Sequence, residues 1–321
     1  MLKASSIAEY SRSCEYLEVS YPSQFRSRRL QYFREKTIEF LLFLAAFFSI
    51  LVTIGIVMIL ALESVPFFEH VSVIDFLTDT QWTPLFADAH FGILPLLSGT
   101  FVTTMVALFL AIPVGTISAV FLSEYAPHRL REWIKPILEL LSAIPTVVYG
   151  YFALLFVTPL LQNFFPELPG FNMLSAGLVI GVMIVPYVSS LSEDAMRAVP
   201  MHIREGSYAL GATRLHTSFH VVLPSALSGI SASYILAISR AFGETMVVAI
   251  AAGMQPDLTL NPTKPAATIT AYIVQVSLGD LPHGSIGYQT IFVAGLMLLL
   301  LTFLFNILGF YLRKRFWQAY Q

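Results

Sequence analysis

The sequence contains little charge and almost no cysteine. Only 12% of its 321 residues are charged, about half the fraction of an ordinary soluble domain. A single cysteine, Cys14, excludes a disulfide scaffold and any zinc or iron–sulfur site built from cysteines. The formal net charge of −2 provides no basic field for a nucleic acid. Because 56% of the residues are hydrophobic, disorder is excluded as well, and an integral membrane protein remains.

The sequence contains six apolar runs of about 20 residues, and each run is long enough to cross a bilayer. The first follows a polar tail of nearly forty residues and is too long for a cleaved signal core, so it indicates a retained span. The sequence therefore predicts an all-α integral membrane protein with six transmembrane helices. These lie at about residues 40–62, 93–122, 134–161, 174–191, 221–252 and 290–312.

Lysine and arginine are distributed unevenly among the connections between these runs. Sixteen of the 18 basic residues lie in the N-terminal tail, in alternate connections and at the C-terminus. The opposite connections contain only Lys264, and Arg240 lies within a run. Because basic residues mark the cytoplasmic side, both termini are predicted to be cytoplasmic. The prediction divides the chain into a tail (1–39), a first helix (40–62), an external loop (63–92) and a core (93–315).

Two features outside the runs leave alternatives open. The tail carries a basic amphipathic segment, Arg26 to Lys36, which suits either a helix on the inner leaflet or simple positive-inside anchoring. The external loops at 63–92 and 253–288 are long enough to be functional. An interfacial cap on the bundle is the other interpretation of these loops.

The connection at about residues 200–220 has the local chemistry of two short helices. Pro200 suits a helix start, Gly211 suits a left-handed helix stop, and a second helix is predicted from Thr213. Leu223-Pro224 then opens the fifth run.

This connection resembles the cytoplasmic EAA loop of ABC importer permeases. Glu205 is followed by Gly211 six residues later, then by nine residues and Val221-x-Leu-Pro. In that family the loop is a coupling helix that sits in a cleft of the nucleotide-binding subunit. The resemblance implies coupling to an ATPase through Glu205, Gly206, Ser207, Gly211, Leu223 and Pro224. Gly206 and Ser207 replace two alanines of the family pattern, and Gly206 lowers helix propensity by about 1 kcal/mol.

Arg240 and Glu244 are charged residues within the fifth run, and their spacing predicts that they share a helix face. An arginine at a helix centre in the membrane costs about 2.5–3.5 kcal/mol, so such residues are functional candidates. A guanidinium suits phosphate or carboxylate, and a carboxylate can accept a hydrogen bond from protonated phosphate but not from sulfate. The pair could therefore select phosphate over sulfate. An Arg–Glu pair that only locks two helices is the alternative.

The stretch Ser239-Arg-Ala-Phe-Gly-Glu-Thr-Met resembles the [GS]-R-A-x-G-E-T-M motif of Pst phosphate importer permeases of the C type. Similar matches recur through residues 91–315, among them Glu139-Leu-Leu-Ser-Ala-Ile-Pro-Thr. The sister A-type permease usually has Ala-Pro after G-E-T, and Met246-Val247 departs from that pattern. The resemblance implies the type I ABC importer permease fold. It also implies a substrate pathway along Arg240, Glu244, Ser239 and Thr245.

The same resemblance implies a set of partners and a location. The sequence has no G-x-x-x-x-G-K-[ST] motif, so we expect a transport subunit with no ATPase site, no catalytic residue and no cofactor of its own. The implied partners are an A-type sister permease, a homodimeric ATP-binding subunit that binds ATP and Mg, and an external phosphate-binding protein. The implied location is the bacterial inner membrane, in contact with lipid and without nucleic acid.

Other functions remain open at this point. The substrate could be a related oxyanion such as phosphonate. An ion-coupled secondary transporter would need discontinuous helices and usually internal repeats, and an intramembrane enzyme would need a paired constellation within the spans. Three histidines lie in or beside the coupling loop, His202, His216 and His220, but no carboxylate or cysteine pattern accompanies them, so no metal site is predicted.

Overall fold

Among the residues that the structure describes, the regular structure is helical, apart from one isolated bridge between Trp82 and Phe91. The computed structural model describes residues 28–84, 86, 88–279, 281–282 and 284–317. The tail predicted at 1–39 lies outside the described residues up to residue 27. The all-α prediction is confirmed for the described part of the chain.

The α-helices are named in chain order. They are α1 (Arg28–His70), α2 (Val73–Thr78), α3 (Leu94–Val120), α4 (His128–Ala143), α5 (Thr146–Phe152), α6 (Thr158–Gln162), α7 (Met173–Arg197), α8 (Met201–Ala209), α9 (Arg214–Thr217), α10 (Leu223–Ser225), α11 (Leu227–Phe242), α12 (Met246–Ala251), α13 (Ile269–Ser277) and α14 (Ile286–Trp317). Three π-helical turns continue α3, join α5 to α6 and join α9 to α10, at Phe121–Tyr125, Ala153–Val157 and Ser218–Val222.

Four helices of the described chain, α1, α3, α7 and α14, are individually long and apolar enough to cross a membrane. Two more spans result if each of two bent helix pairs counts as one crossing. The six predicted spans are therefore matched by four continuous helices and two broken pairs.

The third predicted span, 134–161, is not continuous. Helix α4 ends at Ala143, α5 begins at Thr146, and the two parts are bent by 87°. Pro145 has no amide hydrogen for the helix ladder, and it disfavours the helical region for Ile144. Ile144 is accordingly extended, with φ −64° and ψ 131°. The two parts are long and apolar enough for a crossing only when they are taken together.

The fifth predicted span, 221–252, is interrupted twice. A bend of 72° separates Arg214–Ser225 from α11, and α11 itself ends at Phe242. Helix α12 starts only at Met246. The uninterrupted helix of this span is therefore the 16 residues of α11.

Helix α1 is longer at both ends than the predicted 40–62. Its 43 residues correspond to about 64 Å, roughly twice the hydrocarbon thickness of a bilayer. The basic segment from Arg28 to Lys36 continues this helix instead of forming a separate one. Contacts divide the chain into two compact units, Met1–Ile56 and Val57–Gln321. In the first unit, residues 32–54 are all exposed.

The core of the second unit is formed where α3 and α7 pack closely together. Gly115, Gly177 and Gly181 lie at this contact, and a Cβ on any of them would come within 2.8 Å of the opposing helix. Small residues allow helix backbones to approach in this way. The contact fixes α7, whose side chains form much of the functional region.

The two long connections form an aromatic cap instead of irregular loops. Within the predicted loop 63–92, α1 continues to His70 and α2 follows, whereas the predicted loop 253–288 contains α13. Trp82 is 1% exposed and packs edge-to-face on Tyr272, with ring centroids 5.1 Å apart. This packing favours the interpretation of these connections as a cap.

Candidate functional site

Arg240 and Glu244 do not share a helix face, because α11 ends between them. Arg240 lies in the last turn of α11, and Gly243 is the C-cap, with its amide donating to the Ser239 carbonyl. Glu244 therefore lies in the non-helical break before α12. The spacing of four residues predicted a common face only for an unbroken helix.

The carboxylate of Glu244 binds the start of helix α12 and is not paired with Arg240. Its buried carboxylate accepts a hydrogen bond from the Val247 amide through Oε1, at 3.3 Å. The Thr270 hydroxyl donates to the Glu244 carbonyl at 2.7 Å. A carboxylate at a helix N-terminus is favourable because it meets free amides and the positive end of the dipole. Glu244 thus joins α12 to α13.

Arg240 contacts an aromatic ring instead of a carboxylate. Its guanidinium carbon lies 4.4 Å from the ring centroid of Tyr187 on α7, which is a cation–π contact. Its Nε is buried and has no hydrogen-bond partner. Among the described residues, none of the ion pairs includes Arg240. The alternative interpretation, an Arg–Glu pair that only locks two helices, is therefore not seen in this arrangement.

The other two predicted pathway residues are Ser239, which precedes Arg240, and Thr245, which follows Glu244. Ser239 has a buried hydroxyl with no hydrogen-bond partner. Thr245 is half-buried and donates to the Gly243 carbonyl at 3.2 Å. Tyr187 was missed by sequence reasoning, although a tyrosine within an apolar run was a usable signal. Arg240 and Ser239 therefore retain unused donors inside the bundle, an arrangement suited to an anion.

The predicted coupling loop has the local structure that its turn residues indicated. Helix α8 starts directly after Pro200, and Gly211 is left-handed with φ +84°. The Gly211 amide donates to the Tyr208 carbonyl at 2.9 Å. Thr213 caps α9 by accepting a hydrogen bond from the His216 amide.

The predicted coupling residues separate into an outer face and an inner face. Glu205, Gly206 and Gly211 are exposed, and Leu210 beside them is 91% exposed. Ser207 faces inward and bonds Thr217 at 2.9 Å between hydroxyl oxygens. Farther along the chain, Leu223 is half-buried and Pro224 is exposed. The exposed part of α8 is therefore free to contact another subunit.

Arg204 attaches α8 to the bundle, and sequence reasoning missed this residue. It is 9% exposed and donates to the backbone carbonyls of Val199 and Met196 at 2.7 and 2.8 Å. The same guanidinium donates to the Glu124 carboxylate at 3.1 Å. One side chain thus joins α8, the end of α7 and the π-helical turn after α3. Its charge was attributed only to membrane orientation.

Glu193 is the centre of a second buried charge cluster that the sequence did not reveal. Its side chain is fully buried on α7 and lies 2.9 Å from the Lys135 ammonium of α4, while Arg197 and Arg131 lie 3.6 and 3.9 Å away. Lys135 also binds Asp194 at 2.7 Å. Burial opposes the charge of Lys135, but its hydrogen bonds to Asp194 and Glu193 outweigh burial and raise its pKa.

The three histidines do not assemble a metal centre in the described part of the chain. His216 and His220 stack with ring centroids 4.2 Å apart, and no group of three potential ligands occurs among the described residues.

Broken membrane spans, a short helix exposed at one end of the bundle and an unpaired arginine within it together define a membrane permease. The chain belongs to the family of binding-protein-dependent transport system inner membrane components, whose model matches residues 111–318. It is therefore a multi-pass inner-membrane transport component, and the sequence-based assignment to ABC importer permeases is confirmed.

Curated relatives agree with this family. The chain is 38% identical over 245 residues to a probable ABC transporter permease, YqgH, of Bacillus subtilis strain 168, covering 76% of this chain and 79% of the relative. It is 32% identical over 250 residues to the phosphate transport system permease PstC of Xylella fastidiosa strain 9a5c, covering 72% and 75%. PstC of Mesorhizobium japonicum is 33% identical over 263 residues, covering 75% and 78%.

Solved structures support the fold. A bacterial alginate ABC transporter, in complex with an alginate-bound periplasmic protein, matches with a TM-score of 0.63 at 13% identity, covering 90% of this chain and 98% of that chain. An inward-facing MetNI methionine ABC transporter matches with a TM-score of 0.51 at 20% identity, covering 70% and 94%. The fold is that of the type I ABC importer permeases. The alternatives of a secondary transporter and an intramembrane enzyme are not favoured.

Proposed function

We propose that the chain is the C-type permease subunit of an ATP-driven inorganic phosphate importer. The observation that carries this proposal is the guanidinium of Arg240, which lies inside the bundle with a buried unpaired donor and forms no ion pair with a described carboxylate. Its five donors form a planar fork that matches phosphate. The PstC names of two relatives support the choice of anion.

In this proposal Tyr187 holds Arg240 in place while no anion is bound. The ring face attracts the cation without supplying a formal negative charge, so the guanidinium edge stays available to an anion. Phosphate then accepts hydrogen bonds from Arg240, and the hydroxyls of Ser239 and Thr245 provide further polar contacts along the pathway. Alternating access exposes Arg240 first to the outside and then to the cytoplasm.

We propose that the Glu244 carboxylate recognises protonated phosphate by accepting a hydrogen bond from it. Near neutral pH phosphate carries a proton that a carboxylate can accept in a hydrogen bond, whereas sulfate does not. The variant Glu244→Gln is a sharp test because glutamine keeps an oxygen that can accept from the Val247 amide while it removes the charge. We expect weaker discrimination between phosphate and sulfate. Unchanged discrimination and uptake would remove Glu244 from the selectivity mechanism.

The proposed assembly contains an A-type sister permease, a homodimeric ATP-binding subunit that holds ATP and Mg, and an external phosphate-binding protein. This chain supplies half of the pathway and neither an ATPase site nor a cofactor. Both termini lie in the cytoplasm, the aromatic cap faces outward, and the core at 93–315 carries the pathway. The exposed face of α8, with Glu205 and Gly206, contacts the ATP-binding subunit.

The coupling part of the proposal has its own test. Gly211 ends α8 in a left-handed conformation with φ +84°, which other residues adopt at a cost of about 1–2 kcal/mol. We expect Gly211→Asp to uncouple ATP hydrolysis from phosphate transport. Gly284→Asp is the matched control, because Gly284 is also left-handed, with φ +83°, and a Cβ there meets no atom within 4 Å. Normal coupling in Gly211→Asp would contradict the assignment of α8 as the coupling helix.

The test of the whole function is uptake of radiolabelled phosphate by the reconstituted chain and its partners. We expect uptake that needs ATP inside the vesicles and persists when ion gradients are collapsed. Excess phosphonate or sulfate is expected to compete poorly with phosphate. Uptake that ignores ATP and follows an ion gradient would overturn the proposal. Preferential uptake of phosphonate would overturn the choice of substrate.

A further inference from the structure

Helix α4 has a continuous apolar stripe that no described residue covers. The stripe consists of Leu130, Trp133, Ile137 and Leu140, whose spacing of three or four residues places them on one helix face. These side chains are 40%, 75%, 54% and 67% exposed. Helix α4 contains no buried residue, and the four residues of the stripe are all exposed, so the stripe lies outside the core of this chain.

The opposite face of α4 fixes the helix against α7. Arg131 and Lys135 form the ion pairs to Glu193 and Asp194 described above. Two residues along a helix correspond to a rotation of about 200°, so Trp133 and Ile137 point away from this contact. The ion pairs therefore determine the direction in which the apolar stripe faces.

Acidic residues occupy a different flank of α4. Glu132 and Glu139 are exposed, and each lies about 100° around the helix from the nearest stripe residue. Arg129 at the start of the helix is exposed as well. The uncovered part of α4 is thus itself amphipathic, with an apolar side and a charged side. This pattern is typical of a helix that lies in a membrane interface.

The bend at Ile144-Pro145 sets the direction of α4 relative to the segment that follows it. Helix α4 and the segment Thr146–Gln162 are bent from each other by 87°, so the two cannot both run along the membrane normal. Thr146–Gln162 contains no charged residue, whereas α4 contains several, so we assign the crossing to Thr146–Gln162. Helix α4 then runs nearly parallel to the membrane plane. Its ion pairs reach the end of α7 that continues into α8, and this end carries Glu193, Asp194 and Arg197. Helix α4 therefore lies at the level where α7 leaves the membrane.

We propose that α4 is an interfacial helix whose apolar stripe is buried among the headgroups and upper acyl chains of the leaflet on the α8 side. The stripe includes a tryptophan at its most exposed position, and tryptophan is enriched at this depth. Arg129 is placed to meet lipid phosphates at the end of the helix. The ion pairs to Glu193 hold the helix in this orientation. The proposal depends on the membrane location of the chain and not on its substrate.

Site-directed spin labelling tests the depth of the stripe. Cys14 is the only cysteine of the chain, so a Cys14→Ser background allows single labels at Trp133→Cys, Ile137→Cys and Leu140→Cys. Glu132→Cys and Glu139→Cys are matched controls on the charged flank of the same helix. The chain is reconstituted with cysteine-free partner subunits in vesicles of phosphatidylethanolamine and phosphatidylglycerol. Collisions with oxygen, which enters lipid, are compared with collisions with a water-soluble nickel chelate.

For the stripe labels we expect oxygen collisions to exceed chelate collisions, and for the two controls we expect the reverse. Stripe labels that collide mainly with the chelate would show that the stripe faces water and would overturn the proposal. Stripe labels shielded from both reagents would show that another subunit covers the stripe, which would also overturn it. A failure of phosphate transport leaves this readout unaffected, because the collisions report the surroundings of the labels and not transport.

Discussion

Arg240 and Glu193 are both charged residues inside the helical bundle, and their surroundings differ in kind. Glu193 is fully buried and lies within 4 Å of three cations of the same chain. Arg240 is half-buried, has no ion-pair partner among the described residues and lies against the ring face of Tyr187. One charge is neutralised within the chain, and the other is not.

The difference teaches how to separate structural charges from substrate-binding charges in a membrane protein. A buried ion cluster offsets its desolvation only when its members are paired. Arg204 is paired and hydrogen-bonded to Glu124. Glu193 is hydrogen-bonded to Lys135 through Oε2. Its Oε1 accepts no hydrogen bond within the described part of the chain but faces Arg197 and Arg131 at 3.6 and 3.9 Å. An arginine within the membrane that has no carboxylate partner is a candidate for binding a transported anion. We infer that the Glu193 and Arg204 clusters position α4 and α8, whereas Arg240 is available to bind the transported anion.

The largest expected effect on stability comes from Arg204→Ala. The change leaves the Glu124 carboxylate and two backbone carbonyls, all in buried surroundings, without their donor. Removing one partner of a buried pair costs about 3 kcal/mol or more, and we expect a loss of this size in thermal unfolding of the purified protein. Arg214→Ala, at an exposed arginine of the same connection, is the control. Equal unfolding temperatures for both variants would show that the hydrogen bonds of Arg204 do not stabilise the protein.

A second test concerns the pairing of Lys135 with Glu193. In a double-mutant cycle of Lys135→Met and Glu193→Gln we expect a coupling energy of about 1 kcal/mol, since the ammonium is partly exposed and screened. Because the folded pKa of Lys135 is raised, its contribution is complete below the ordinary lysine pKa of about 10.4. It is lost as the pH rises through the folded value. The alkaline unfolding profile of wild type and Lys135→Met measures this, and superimposable profiles would contradict the pairing.

The smallest expected effect comes from Tyr187. Replacing Tyr187 with leucine removes a cation–π contact of about 1 kcal/mol, so we expect phosphate uptake per molecule to fall about fivefold. Tyr187→Phe keeps the ring face and is expected to retain most of the uptake. If phenylalanine and leucine lowered uptake equally, the hydroxyl and not the ring face would be the important group.

Features set by local chemistry could be predicted from the sequence, and features set by distant contacts could not. The ends of α8 followed from Pro200 and Gly211 because turn residues act within a few positions. Hydropathy did not reveal the breaks at Pro145 and Gly243, since a broken span is as apolar as a continuous one. The partners of Lys135 and Arg204 lie up to 80 residues away in sequence, and one sequence contains no signal for such pairings.

The most direct measurement of the central claim is phosphate uptake per inserted molecule in Arg240→Gln, together with thermal unfolding of the same protein. Losing two charge-assisted hydrogen bonds of about 1.5 kcal/mol each predicts a fall in uptake of about a hundredfold. The unfolding temperature should change little, because Arg240 has no ion-pair partner among the described residues, and Lys264→Gln should leave both quantities unchanged. Normal uptake per molecule combined with a marked loss of stability in Arg240→Gln would contradict the account.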